Sequence, residues 1–244
     1  MIKAVLLFFA LTSFLVAESV TIPTMNFSLS SPDTPQQLVS SLNVLVVLTL
    51  LFLAPSMILV MTTFTRFVIV FGFLRQALGT QQVPPTQLLV MLAMILTFFV
   101  MEPIGLKAYE SGVKPYLEEK IGYEEAFEKT TLPFKNFMMR NTREKDLALF
   151  LRVRKMQNPQ TVADVPLSII IPAFVISELK TAFEIGFLLF LPFLVIDMVV
   201  ASILMSMGMM MLPPVMIALP FKILVFVLID GWSLLIGNLI SSIK

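Results

Sequence analysis

The 244 residues are 57% hydrophobic and only 14% charged, against about 25% charged in ordinary soluble domains, so the composition suits lipid or a large buried assembly. A net charge of +1 supplies no basic field for nucleic acid, and the absence of cysteine excludes disulfides, thiolate metal sites and thiol nucleophiles. Histidine is absent too, which removes the usual general base, the usual zinc ligand and any Ser-His-Asp triad.

The first element is "MIKAVLLFFALTSFLVAESV". Lys3 supplies a short positive region, residues 4–16 an apolar run, and Ala17 a small residue at its end. That pattern predicts a signal peptide over 1–17, with an uncleaved anchor or a buried first helix as the alternative. Pro23, Pro32, Pro35 and several serines predict a flexible, exposed segment over 18–40.

Residues 41–106 read as a first apolar hairpin. The run 42–61 is long enough to cross a hydrocarbon core, with a kink at Pro55. Arg66 and Arg75 follow, nine residues apart and so on opposite faces of a helix. Gly79 and Pro84-Pro85 end that element, and a second apolar helix starts at 88–101, interrupted by Pro103 and Gly105.

Residues 107–165 differ in kind, holding 20 of the 33 charged residues of the chain. Leu147, Leu151 and Val153 among those charges predict amphipathic helices in a water-exposed insert. No catalytic constellation stands out in it. If the leader is cleaved, Arg66 and Arg75 fall on the cytoplasmic side, as the positive-inside rule favours, and the insert lies outside the cytoplasm.

The chain turns apolar again over 166–244, with Pro172, Pro192, Pro213, Pro214 and Pro220 spaced through it. The stretch 167–205 would be about 58 Å long as one helix, roughly twice a hydrocarbon core. It must break, tilt steeply or project from the bilayer. The last apolar element is 215–236. The fold class expected is therefore all-α and membrane-type, with about four apolar spans in proline-broken hairpins and a charged helical extracytoplasmic insert.

Six charges interrupt the second apolar region: Glu178, Lys180, Glu184, Asp197, Lys222 and Asp230. Each costs about 2.5–3.5 kcal/mol at the centre of a lipid-facing helix. Together that is on the order of 15–20 kcal/mol, more than the 5–15 kcal/mol stability of a typical domain. These groups must meet each other, water or another subunit. Lys180 and Glu184 share a helix face, Glu178 and Lys222 are candidates to pair across helices or subunits, and Arg66 or Arg75 can serve Asp197 and Asp230. Pairing at interfaces and lining a water-filled path both fit.

Five of the seven residues from 205 to 211 are methionine: Met205, Met207, Met209, Met210 and Met211. Gly208 loosens the backbone there, and Pro213-Pro214 stops helical hydrogen bonding. Unbranched thioethers mould to irregular surfaces, and a dry apolar constriction gates by excluding water. Ordinary packing at a hairpin tip is the other reading.

Three runs carry a resemblance: "FTRFVIVFGFLRQALGTQQVPP" (64–85), "IPAFVISELKTAFEIGFLLFLPFLVIDMVVASILMSMGMMMLPP" (171–214) and "LPFKILVFVLIDGW" (219–232). Through them the chain resembles the FliP family of flagellar type III export, with its injectisome relatives called SctR, over residues 40–240. The resemblance implies a homo-oligomeric ring joined by FliQ and FliR and other export-apparatus membrane proteins. It implies a gate that passes unfolded proteins across the bacterial inner membrane at the flagellar basal body, with much of the hairpin raised above the bilayer. It also implies that Met209, Met210 and Met211 act as a pore gasket flanked by Met205, Met207, Gly208, Pro213 and Pro214. No enzyme activity and no cofactor are expected, and no phosphate-binding glycine loop is present. A polytopic solute transporter is the competing class, and an intramembrane hydrolase could use only aspartate or serine.

Overall fold

The computed structural model describes residues 35–80, 83–156, 159, 161–209 and 212–243. The expected signal peptide and most of the segment after it lie outside these residues. Among the described residues the chain is helical, without strands. It divides into two compact units, residues 1–49 and residues 50–244.

Helix α1 spans Pro35–Val60 and so begins inside the stretch expected to be flexible. Proline suits the first helical position, because its fixed φ is already helical and its missing N–H is an orphan there anyway. Helix α2 spans Phe64–Leu78 and buries Phe67, Val70, Phe71, Leu74, Ala77 and Leu78, the spacing of one helix face. Gly79 ends it in the left-handed conformation, its N–H bonding to the Gln76 carbonyl.

Helix α3 spans Thr86–Ala108 and passes through Pro103 and Gly105 without the expected interruption. Proline removes one backbone bond, but in apolar surroundings a helix that stops exposes several more, so continuing costs less. The helix then widens into a π-helical turn, Tyr109–Val113, and tightens into α4, Lys114–Leu117. Gly112 permits the next contact. A Cβ at this position would lie 2.6 Å from the Thr130 nitrogen and 2.8 Å from the Ala126 oxygen of the following helix.

That helix, α5, spans Tyr123–Asn141, and α6 spans Glu144–Val153. Met101 of α3, Phe137 and Met138 of α5, Leu151 of α6, and Ile169, Ile170 and Phe174 form one buried cluster. The charged region thus shares a core with the apolar helix that follows it.

Helix α7 spans Leu167–Ser206, 40 residues, and is unbroken at Pro172 and Pro192. Of the three outcomes open for this stretch, breakage does not occur. Helix α8 spans Pro214–Leu228 and α9 spans Gly231–Ser241, with a 65° bend between them. The last apolar element, expected as one piece over 215–236, divides at Asp230, a left-handed residue with φ 50°. A second cluster joins α2 to Leu89 and Ala93 of α3, Ala182 and Phe193 of α7, Phe226 of α8, and Leu235 and Leu239 of α9.

Among the described residues, two helical stretches are long and apolar enough to cross a membrane: Thr86–Leu117 and Leu167–Ser206. The bent α8–α9 pair brings the number to three at most, rather than about four. The difference arises because the last apolar element is split at Asp230, and because the described apolar part of α1 is only Leu42–Leu53.

Candidate functional site

The methionine segment begins where α7 runs out of helical partners. Met207 N–H bonds to the Ile203 carbonyl at 3.1 Å, Gly208 N–H to Met205 at 3.1 Å, and Met209 N–H to Leu204 at 3.0 Å. This is the paired closing pattern of a Schellman turn, which needs a left-handed residue just past the helix end. Gly208 supplies it with φ 77°. Pro213, extended, then caps α8, and Pro214 takes its first position. Met205 is 57% exposed, Met207 65% and Met209 40%. Met210 and Met211 lie outside the described residues. Among the described residues, the helix therefore ends at 206 and the next begins at Pro214.

Two ion pairs, one enclosed and one partly buried, tie these helices together and to α2. Near the link, Lys222 of α8 donates from Nζ to Asp197 Oδ2 of α7 at 2.6 Å and to the Ala77 carbonyl of α2 at 3.0 Å. Ala77 lies in the last turn of α2, where carbonyls lack intrahelical donors and the helix dipole is negative. Farther back along α7, Arg66 Nε donates to Glu178 Oε2 at 2.8 Å and Nη2 to Oε1. Arg66 Nη1 also donates to the carbonyl of Ser242 at 3.0 Å and to its Oγ at 2.8 Å, which fixes the end of α9. Arg66, Glu178 and Lys222 are all buried.

The expected pairing of Glu178 with Lys222 is corrected by these partners. Glu178 and Asp197 are 19 positions apart, which places the two acids about 28 Å apart along α7. A lysine that meets Asp197 cannot also reach Glu178. Helix α2 runs alongside α7, its start serving Glu178 through Arg66 and its end accepting from Lys222. Arg66 therefore does not serve Asp197 or Asp230. Arg75, on the opposite face of α2, donates to Thr86 Oγ1 at 2.7 Å. Asp230 is exposed, and its backbone carbonyl starts α9 by accepting from Leu234 N–H.

The closest partner of Glu184 is not Lys180, which is exposed and acts on it only through its charge. Glu184 receives Arg143 Nη1 at 3.0 Å. That hydrogen bond holds the Arg143 guanidinium above the usual arginine range, against a smaller opposing effect of desolvation. The Arg143 N–H also donates to Ser177 Oγ at 3.0 Å, and that hydroxyl donates to Asp146 Oδ2 at 2.7 Å. Sequence reasoning missed Arg143, Asp146 and Ser177. They are more than 30 positions apart across this contact, and no local spacing signals it. Among the described residues no cluster of three or more acidic, histidine or cysteine side chains is placed to hold a metal ion.

A family model described as the FliP family matches residues 47–239. The flagellar biosynthetic protein FliP of Bacillus subtilis (strain 168) is 53% identical, over 87% of this chain and 96% of its own length. The protein of that name from Caulobacter vibrioides is 54% identical, over 81% of this chain and 74% of its own length. The Aquifex aeolicus (strain VF5) protein of that name is 47% identical, over 84% of this chain and 87% of its own length. The match covers both apolar hairpins, the charged region and the methionine link between α7 and α8, and on that ground the chain belongs to the FliP family.

Proposed function

We propose that this chain is a non-enzymatic core subunit of the flagellar type III protein export gate in the bacterial inner membrane. Copies of it form a ring with FliQ and FliR and conduct unfolded flagellar proteins, and Met209, Met210 and Met211 seal the conduit between passages. The observation that carries the reading is that Met205, Met207 and Met209 are exposed at the junction of two apolar helices, beside a glycine turn and ahead of two prolines. Export substrates vary in side-chain size, so a rigid seal either jams or leaks. Rotatable thioethers yield and reclose while staying apolar enough to exclude ions. The outer face of α7 supports a ring, because Phe183, Phe187, Leu188, Val195, Met198 and Val199 are all exposed. A contiguous apolar patch of this kind marks contact with protein or lipid.

The flagellar branch is favoured over the injectisome by the names of the relatives at about half identity. The test is permeability. Replacing Met209, Met210 and Met211 together with alanine lets small solutes through the resting apparatus in cells that otherwise still assemble it. Unchanged permeability in the assembled triple variant overturns the sealing role. Copurification with FliQ and FliR as a ring tests the assembly, and a chain that functions as a monomer refutes it.

A further inference from the structure

We propose that Glu102 of one copy pairs with Lys180 of the next, so that the exposed face of α3 docks on the exposed face of α7 around the ring. This contact rests on the ring reading above. Among the described residues, Glu102 has no hydrogen bond or ion pair. It is exposed in a stripe that is otherwise apolar: Leu88, Met91, Ile95, Phe98, Glu102 and Leu106 follow at steps of three or four, and all six face outward. Glu102 also stands at the middle of the 32-residue apolar stretch Thr86–Leu117. A hydrocarbon core of about 30 Å laid anywhere along that stretch encloses it. A carboxylate lacks the long stem by which lysine reaches a membrane surface, so lipid is a costly neighbour for it.

Lys180 is the complementary case. It is exposed between Ile176 and Phe183 on the outer stripe of α7, and it donates no hydrogen bond. Glu184, one turn on, is taken up by Arg143. The two faces belong to different flanks of the chain, because α2 packs against both α3 and α7, which make little direct contact with each other. Two different faces of one molecule that fit each other make a heterologous contact, the kind that closes into a ring. Their heights agree as well. Met101, beside Glu102, shares a buried cluster with Phe174, which lies six residues before Lys180 on α7. Rotation about an axis along the helices keeps each residue at its height, so the two groups come round about 9 Å apart along that axis. Helical side chains lean toward the N-terminus of their helix, which carries the Lys180 ammonium back toward the level of Phe174.

The test uses the full chain, produced with FliQ and FliR in cells that assemble the export apparatus. The chain has no cysteine, so cysteines placed at 102 and 180 are the only ones in it. An ion pair between long side chains holds the backbones farther apart than the Cα separation of about 4.4–6.8 Å that a disulfide needs, so a short bismaleimide is the cross-linker. In membranes E102C/K180C gives a ladder of linked copies, while E102C or K180C alone stays a monomer. The two single variants, tagged differently and produced together, give only dimers that carry both tags. Charge reversal reads the pairing itself. E102K and K180E each lower the yield of detergent-extracted ring about tenfold or more, because like charges then meet, and E102K/K180E restores most of it. No rescue by the double reversal, cross-links from residue 102 to FliQ or FliR, or no cross-link in an assembly that still runs as a ring overturns this contact and leaves the ring reading standing. A parent chain that runs only as a monomer overturns the ring reading itself.

Discussion

Lys222 Nζ lies 2.6 Å from Asp197 Oδ2 and 3.0 Å from the Ala77 carbonyl, so one ammonium joins α8, α7 and the end of α2. The lysine is 2% exposed, whereas the Asp197 side chain keeps 21% of its surface. The two partners are therefore not equivalent. Replacing Lys222 with methionine leaves a carboxylate facing an unpaired carbonyl at the negative end of a helix. Removing one member of a buried pair costs about 3–5 kcal/mol. Asp197→Asn costs less, because the ammonium keeps Ala77 and the amide oxygen can still accept. Thermal unfolding of the detergent-solubilised chain should rank K222M well below D197N, and equal losses would count against this geometry.

The Arg66–Glu178 pair makes a sharper forecast, because both side chains are almost fully enclosed. Glu178→Ala strands a guanidinium and should lower stability by about 3–5 kcal/mol. The double variant R66M/E178L removes both charges and should recover much of that loss, since apolar groups of similar size often replace buried pairs at little cost. Charge reversal gives a second check. Exchanging the charges of Glu178 and Lys222 should do no better than either single reversal, because each has a different partner. Rescue by the double reversal would put the two residues in contact and refute the pairing described above.

The sequence made the helices visible, and it made their neighbours much less so. The apolar runs around Phe67–Leu74 and along α7 declare themselves by composition, and the charge density of 107–165 marks that region without any tertiary knowledge. The Gly208 turn and the Pro213 cap were also legible, because φ freedom and a missing N–H are local properties. Prolines misled where surroundings decide. Pro103, Pro172 and Pro192 all sit inside continuous helices, because in apolar surroundings a helix that stops leaves several backbone groups unpaired where proline removes one bond. Asp230, whose Asp-Gly pair with Gly231 is a local turn signal that hydropathy alone passes over, is where the last apolar element divides. Charge partners were the least legible part. Arg66 meets a residue 112 positions away, and only the parallel run of α2 and α7 brings the two together.

The contact between Arg143 and Glu184 should matter far less than its short hydrogen bonds suggest. Glu184 is 54% exposed and Arg143 31%, and solvated pairs of this kind contribute little to stability. Glu184→Gln should shift the unfolding temperature slightly, and the shift should shrink further in high salt. Ser177→Ala should cost more, although it removes no charge. Ser177 is fully buried, and its hydroxyl accepts from the Arg143 N–H while donating to Asp146. Losing it leaves those two part-buried groups short of a partner beside a buried void, at about 1 kcal/mol or more in total. A larger effect from E184Q than from S177A would reverse the assigned importance of the two contacts.

Gly112 tests how the charged region is docked. Its π-helical turn lies so close to α5 that an added methyl meets the Thr130 Oγ1, the Thr130 nitrogen and the Ala126 oxygen at 2.1, 2.6 and 2.8 Å. The hydroxyl can rotate away, but the two backbone atoms cannot move without displacing α5. Gly112→Ala should therefore cost about 1–3 kcal/mol, the range for overpacking a filled contact. That loss should exceed the gain of about 0.5–1 kcal/mol that alanine brings to a helix over glycine. The damage should also be local. Hydrogen exchange should rise in 109–117 and 123–141, while α2 and the middle of α7, which belong to the other buried cluster, keep their protection. Uniform loss of protection would mean that the two clusters open as one unit, and unchanged exchange in α5 would mean that the turn is not pressed against it.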